Sequence, residues 1–111
     1  MPAADAPERG DVIWIDMSPQ AGREQAGRRP AVVLSPRAYN AKVGLAIVCP
    51  ITSRVKGYKF EVAIPDGLPV SGVVLADQLR SLDWRVRRAE SIARLPGEGV
   101  EAILAKARML L

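Results

Sequence analysis

Apolar residues fall in short blocks along the chain, and only the last block has helical spacing. Val12-Ile13-Trp14-Ile15-Asp16-Met17 is dense in β-branched and aromatic residues and predicts a strand. Ser18-Pro19-Gln20 breaks it. A polar loop, Gly22-Arg23-Glu24-Gln25-Ala26-Gly27-Arg28-Arg29, leads to a second strand over 30–35. Pro30 fixes φ and has no N–H, which suits a strand start. It also holds Arg29 toward extended geometry, at the junction of loop and strand. The two strands should pair as a hairpin with a loop too long for a tight turn.

Ser35-Pro36 has the form of a helix N-cap followed by proline at the first position. A short helical turn over 36–42 should end at Gly44. Residues 45–51, nearly all apolar, predict a central third strand. Pro50 should demote its far end to an edge or a bulge. Thr52-Ser53-Arg54 then leaves that strand as a polar run. Residues 60–64 alternate apolar and polar, the pattern of a half-exposed strand. Residues 65–69 form a turn by composition, and 72–76 another buried strand. Residues 81–85 read as a short strand or a single helical turn, and 90–95 as a last strand.

From Glu98 the spacing changes. Val100, Ile103, Leu104, Ala107, Met109, Leu110 and Leu111 approximate one helical face. Glu98 and Glu101 lie at its start, and Lys106 and Arg108 near its end, an order that complements the helix dipole. Short strands plus one terminal helix predict a mostly β fold, as a small antiparallel barrel or a strongly bent sheet. At 111 residues the chain should form one domain over 1–111.

Composition narrows the chemistry. Histidine is absent, which excludes histidine acid–base catalysis, histidine triads and most catalytic zinc sites. No acidic cluster suits magnesium, so an enzyme here should work without metal or cofactor. The single cysteine, Cys49, lies in an apolar run and should be a small core hydrophobe. Residues 1–10 lack the apolar core of a signal peptide. No stretch approaches the roughly 18 apolar residues that span a bilayer. The expected location is the cytoplasm, with no membrane partner.

The net charge is +4, and its distribution matters more. Between Met17 and Phe60 lie Arg23, Arg28, Arg29, Arg37, Lys42, Arg54, Lys56 and Lys59, with Glu24 as the sole acid. Arg80, Arg85, Arg87 and Arg88 form a second group. Charge this one-sided is the footprint of a polyanion partner, against the alternative of scattered solvated side chains.

Five stretches together resemble the MazF/PemK family, the toxins of bacterial toxin–antitoxin pairs. They are Gly10-Asp11-Val12-Ile13-Trp14, the block from Glu24 to Ser35, Pro50-Ile51-Thr52, Lys56-Gly57-Tyr58 and Leu75-Ala76-Asp77-Gln78. Each motif is weak alone; their order and spacing are specific. The resemblance implies an SH3-like barrel of the MazF/PemK/CcdB type, usually a homodimer. It implies a metal-independent, sequence-specific endoribonuclease cutting single-stranded RNA, chiefly mRNA, to 2′,3′-cyclic phosphate and 5′-hydroxyl ends. It further implies a cognate antitoxin with an acidic segment. The family's catalytic arginine falls on Arg29, its catalytic threonine on Thr52 and its loop glutamate on Glu24. Ser53 stands where a second hydroxyl residue is often found. Arg28 replaces another residue type of some members, and the 65–71 turn departs from the family pattern.

The residues suit that chemistry. Arg29 offers paired donors to non-bridging phosphate oxygens, and Thr52 a hydroxyl. A guanidinium is a poor proton acceptor, so Glu24 is expected to act as the base or to position Arg29; a loop salt bridge with Arg23 or Arg28 is the plainer reading. Arg28, Gln25, Ser53, Arg54, Lys56, Tyr58, Asp77 and Gln78 are expected RNA contacts. Tyr58 could equally pack in the core, and Asp77 and Gln78 could instead support the site. Trp14 reads as core or interface. Two other functions fit the fold: a CcdB-like toxin that inhibits a topoisomerase, and a non-catalytic SH3-like RNA-binding module.

Overall fold

The computed structural model describes residues 5–18 and 27–111. The chain runs β1 (Asp11–Asp16), β2 (Arg28–Val33), α1 (Arg37–Val43), β3 (Leu45–Thr52), β4 (Glu61–Ala63), β5 (Val73–Leu75), β6 (Arg80–Asp83), β7 (Glu90–Arg94) and α2 (Gly97–Arg108). β1 and β2 form the expected antiparallel hairpin, in register from Val12↔Val32 to Asp16↔Arg28. Residues 80–83, ambiguous in sequence, are a strand.

The strands follow the order β4-β5-β3-β2-β1-β7, with β6 also on β3. Every recorded pairing is antiparallel. The sheet is not closed, so of the two forms expected the chain takes the bent sheet, with the mostly β fold and terminal helix as read. β4 and β7 end the path, and α2 packs against the sheet. Its Val100 and Ile103 join Val12, Val32, Cys49, Ile51 and Val74 in one apolar cluster. The opposite faces of β1–β3 carry Ile13, Ile15, Ala31, Val33, Ala46 and Val48, which pack with Leu82 and Trp84. Cover on both faces explains why these strands read as unbroken apolar runs instead of alternating ones.

Two local expectations fail for identifiable reasons. Pro50 does not turn the end of β3 into an edge. β3 pairs with β2 through Val48, Cys49 and Pro50. Its other side meets β6 from Leu45 to Val48 and β5 at Ile51 and Thr52. Pro50 falls in the gap between those two partners, where a missing N–H costs no ladder bond. Ser35 is not the cap of α1 either. Pro36 holds the cap position, and no side chain caps the helix. The Ser35 hydroxyl instead donates to Asn40 Oδ1 at 2.6 Å and accepts the Ile47 N–H at 2.8 Å. The predicted stop at Gly44 holds, with Gly44 left-handed at φ 83°.

Asn40, fully buried, is the polar centre of this corner. Its amide nitrogen donates to the Pro7 and Ser35 carbonyls at 2.8 and 3.0 Å, and its own carbonyl accepts Trp84 Nε1–H at 2.8 Å. The N-terminal arm, α1 and the segment after β6 are thereby joined. Among the described residues no helix is long and apolar enough to cross a membrane.

Replacing Asn40 by alanine leaves the Pro7 carbonyl and the Ser35 hydroxyl buried without their partner. Asn40→Ala is expected to lower the unfolding free energy by roughly 2–3 kcal/mol, because each stranded buried polar group carries its desolvation cost. Urea denaturation followed by tryptophan fluorescence measures this.

Candidate active site

Arg29 and Thr52 arrive on neighbouring strands. β2 pairs with β3 as far as Ala31↔Pro50, and Arg29 and Thr52 each lie two residues beyond that last pair. Both line one open cleft of about 570 Å³ with Trp14, Pro30, Ser53 and Arg54. Arg29 is exposed and Thr52 half-buried. The Thr52 hydroxyl oxygen accepts the Arg54 N–H at 3.1 Å. That bond orients the oxygen and leaves its proton available to an incoming acceptor.

Glycine makes the Thr52 backbone approachable. Gly72 has φ +117°, and a Cβ there would lie 2.1 Å from the Thr52 carbonyl oxygen. β5 can therefore close on the end of β3 only because residue 72 lacks a side chain.

Thr52 and Arg54 also belong to a smaller pocket of about 120 Å³, with Lys56, Tyr58, Glu61, Leu75 and Gln78. Tyr58 is 37% exposed, so it is not a core residue. Its hydroxyl donates to Asp77 Oδ1 at 2.8 Å. That hydrogen bond, with the negative charge of Asp77, raises the phenol above its usual pKa, and the Gln78 side chain acts the other way. Glu61 folds the intervening turn by accepting the N–H groups of Lys56 and Gly57, each at 2.9 Å. Of the sequence candidates, Arg29, Thr52, Ser53, Arg54, Lys56, Tyr58 and Gln78 line these two adjoining hollows, and Asp77 reaches them through Tyr58. Glu24 and Gln25 lie outside the described residues.

Arg28 stands apart. Its Nη2 lies 3.5 Å from the Trp14 carbonyl oxygen and 3.8 Å from Glu90 Oε1, and its Nη1 is buried with no hydrogen-bond partner among the described residues. Arg87 has a different task from the polyanion contact read in sequence. Its Nη1 donates to the Asp16 and Ser18 carbonyls at 3.1 and 2.8 Å. The same neck is closed by the Met17 N–H on the Gly27 carbonyl at 2.8 Å. Gly27 packs there so tightly that a Cβ would meet Ser18 Cβ at 2.6 Å. Cys49 takes no part: burial, with the Asp77 charge adding, pushes its thiol up to about 12.

Sequence reading missed Trp14 and residues 69–71 as cleft walls. The signal for Trp14 was the hairpin register, which places it opposite Pro30. Residues 69–71 carried no composition signal for a site beyond their departure from the family pattern.

Comparison with known proteins gives one consistent result. The family model described as PemK-like, MazF-like toxin of type II toxin–antitoxin system matches residues 8–111. The endoribonuclease toxin MazF of Escherichia coli K12 is 47% identical over 105 residues, covering 95% of this chain and 94% of that protein. The crystal structure of MazF from Deinococcus radiodurans superposes with a TM-score of 0.86 at 55% identity, covering 95% of this chain and 96% of that one. A MazE–MazF crystal structure from the same organism gives 0.84 at 50% identity, over 95% and 94%.

Gly72→Ala is expected to destabilise the fold by more than about 2 kcal/mol, because a strained φ and a backbone collision at Thr52 combine. Gly67 is the control: its φ is +97° with nothing within 4 Å of a built Cβ. Gly67→Ala should cost only the strain, roughly 1 kcal/mol. Paired denaturant titrations distinguish the two.

Proposed function

The chain belongs to the PemK/MazF family of type II toxins, and from that premise we propose that it is a sequence-specific, metal-independent endoribonuclease. Its substrate is single-stranded RNA, chiefly mRNA, cut to 2′,3′-cyclic phosphate and 5′-hydroxyl ends in the cytoplasm, so that translation and growth stop. The whole chain acts as one toxin domain. The observation that carries the reading is the shared cleft of Arg29 and Thr52, in a chain 47% identical to an endoribonuclease toxin.

In this reading the guanidinium of Arg29 grips the non-bridging oxygens of the scissile phosphate in two parallel bonds. The Thr52 hydroxyl, already oriented by the Arg54 N–H, donates its proton to the same oxygens. Charge gathers on those oxygens as the 2′-oxygen attacks, so fixed donors favour the transition state over the ground state. Glu24 takes the 2′-hydroxyl proton or holds Arg29 in position. Gln25, Ser53, Arg54, Lys56, Tyr58 and Gln78 make up the RNA-binding set; Asp77 supports it through Tyr58, and Arg28, expected in the set, lies instead against Trp14 and Glu90. The relatives reported above are named for MazF or a MazE–MazF complex, which favours RNA cleavage over a topoisomerase-directed toxin and over a silent RNA-binding module.

Two partners complete the proposal. An antitoxin with an acidic segment covers the basic cleft, as MazE accompanies MazF in the Deinococcus complex. A second copy of the chain covers the apolar groove of about 670 Å³ lined by Leu34, Tyr39, Ile47, Leu79, Leu104 and Leu111.

Purified protein should cut a long single-stranded RNA at discrete sites in EDTA. Arg29→Ala and Thr52→Ala should each slow cleavage by about 10²–10³-fold, the usual cost of one transition-state donor. Glu24→Gln should change the pH dependence of the rate. Binding without cleavage by the wild type would point to the silent module. Leu79→Glu should sediment as a monomer where the wild type sediments as a dimer; an unchanged dimer would place the second copy elsewhere.

A further inference from the structure

The smaller pocket beside Thr52 supports an assignment that rests on the ribonuclease reading above. Tyr58 is exposed yet held at both ends. Its hydroxyl is committed to Asp77 Oδ1, and its carbonyl accepts the Glu61 N–H at 3.1 Å. The turn that carries it is clamped by Glu61 on two backbone N–H groups. Gly57 within that turn is left-handed at φ +81°, a conformation other residues rarely adopt.

A phenol whose proton is already donated has no donor left for reading a base edge. What it presents is its ring. An aromatic ring that is exposed and kept from rotating is a surface on which an unstacked base can lie, and such stacking tolerates any base. The pocket of about 120 Å³ has Thr52 in its wall, so a base resting there belongs to a nucleotide next to the phosphate that Thr52 addresses. Arg54 and Lys56, both exposed, stand at the rim where the backbone of that nucleotide would pass.

We propose that Tyr58 is the stacking platform for one unpaired nucleobase flanking the scissile phosphate, and that Asp77 is the positioning residue that fixes its ring. Asp77 touches no substrate in this arrangement; it acts through the phenol. Gln78 meets the same phenol and helps to fix it.

The test begins with the shortest RNA that the wild type cuts. One series replaces each nucleotide in turn by an abasic one. A parallel series carries a 2′-deoxynucleotide at the cleavage position, so that binding is measured without cleavage. Tyr58→Ala should raise KM, and Kd for the uncleavable RNA, by roughly 5–150-fold, the equivalent of one lost stack, with much less effect on kcat. At one position the abasic substitution should cost the wild type a similar factor and cost Tyr58→Ala nothing further. Tyr58→Phe keeps the ring but loses its tether to Asp77, so it should remain only partly sensitive at that position. Asp77→Ala should lose part of that sensitivity there and nowhere else. It should also lower the raised tyrosine ionisation, read by ultraviolet titration of the chain's two tyrosines.

If Tyr58→Ala stays as sensitive as the wild type at every abasic position, the platform is overturned while the ribonuclease stands. If Asp77→Ala keeps full sensitivity, its positioning role is overturned. A wild type that neither cuts nor binds any RNA overturns both the platform and the reading beneath it.

Discussion

β3 gives one edge to β2 and divides the other between β6 and β5. Backbone hydrogen bonds along both edges of one eight-residue strand hold the sheet's two halves together. They also fix where β3 ends, and Thr52 is its last residue. Arg29 is placed by the strand beside it, and Tyr58 by the turn that follows it. The division works because Pro50 sits at the point where the partner changes. A residue that needed its N–H satisfied would call for a ladder bond that neither β6 nor β5 supplies.

The arginines divide into two kinds of work. Arg87 is turned onto main-chain carbonyls at the base of the long loop, and Arg28 lies against the Trp14 carbonyl and the edge of β7. Arg29, Arg54 and Lys56 stay exposed around the cleft. Fixed positive charge, together with a hydroxyl already oriented, is what the described part of the cleft offers a phosphate. Cys49 and Tyr58 are both held in their neutral forms well above neutrality. The described part of the cleft thus offers arranged charge, the larger catalytic term in most enzymes, and under the proposed function proton transfer is assigned to Glu24.

Most of this architecture was legible in the chain. Gly44 marked the end of α1, and the change from dense apolar blocks to helical spacing marked α2. Arg29 was placed by the proline after it. What escaped reading was tertiary. Ser35 has the chemistry of a cap, but a buried asparagine five residues on competes for its hydroxyl and wins. Pro50 carries a local rule that a change of partner strand suspends. The sequence left a barrel and a bent sheet both open, because closure depends on which strands pair and the apolar pattern does not show that. Trp14 hid for a related reason: its neighbours on both sides are core residues, and only the register of the hairpin shows that it reaches the cleft.

The closed neck at Met17 and Gly27 has an evolutionary consequence. The hydrogen bond and tight packing there, with Arg87 bracing the base, seal the sheet before the loop leaves it. Closing a loop costs only about 0.6 kcal/mol for each doubling of its length. Residues between 18 and 27 can thus be lengthened, shortened or rewritten while the strands beneath them feel little of the change. Evolution can therefore try new side chains there, in place of Glu24 among others, at little cost to the sheet.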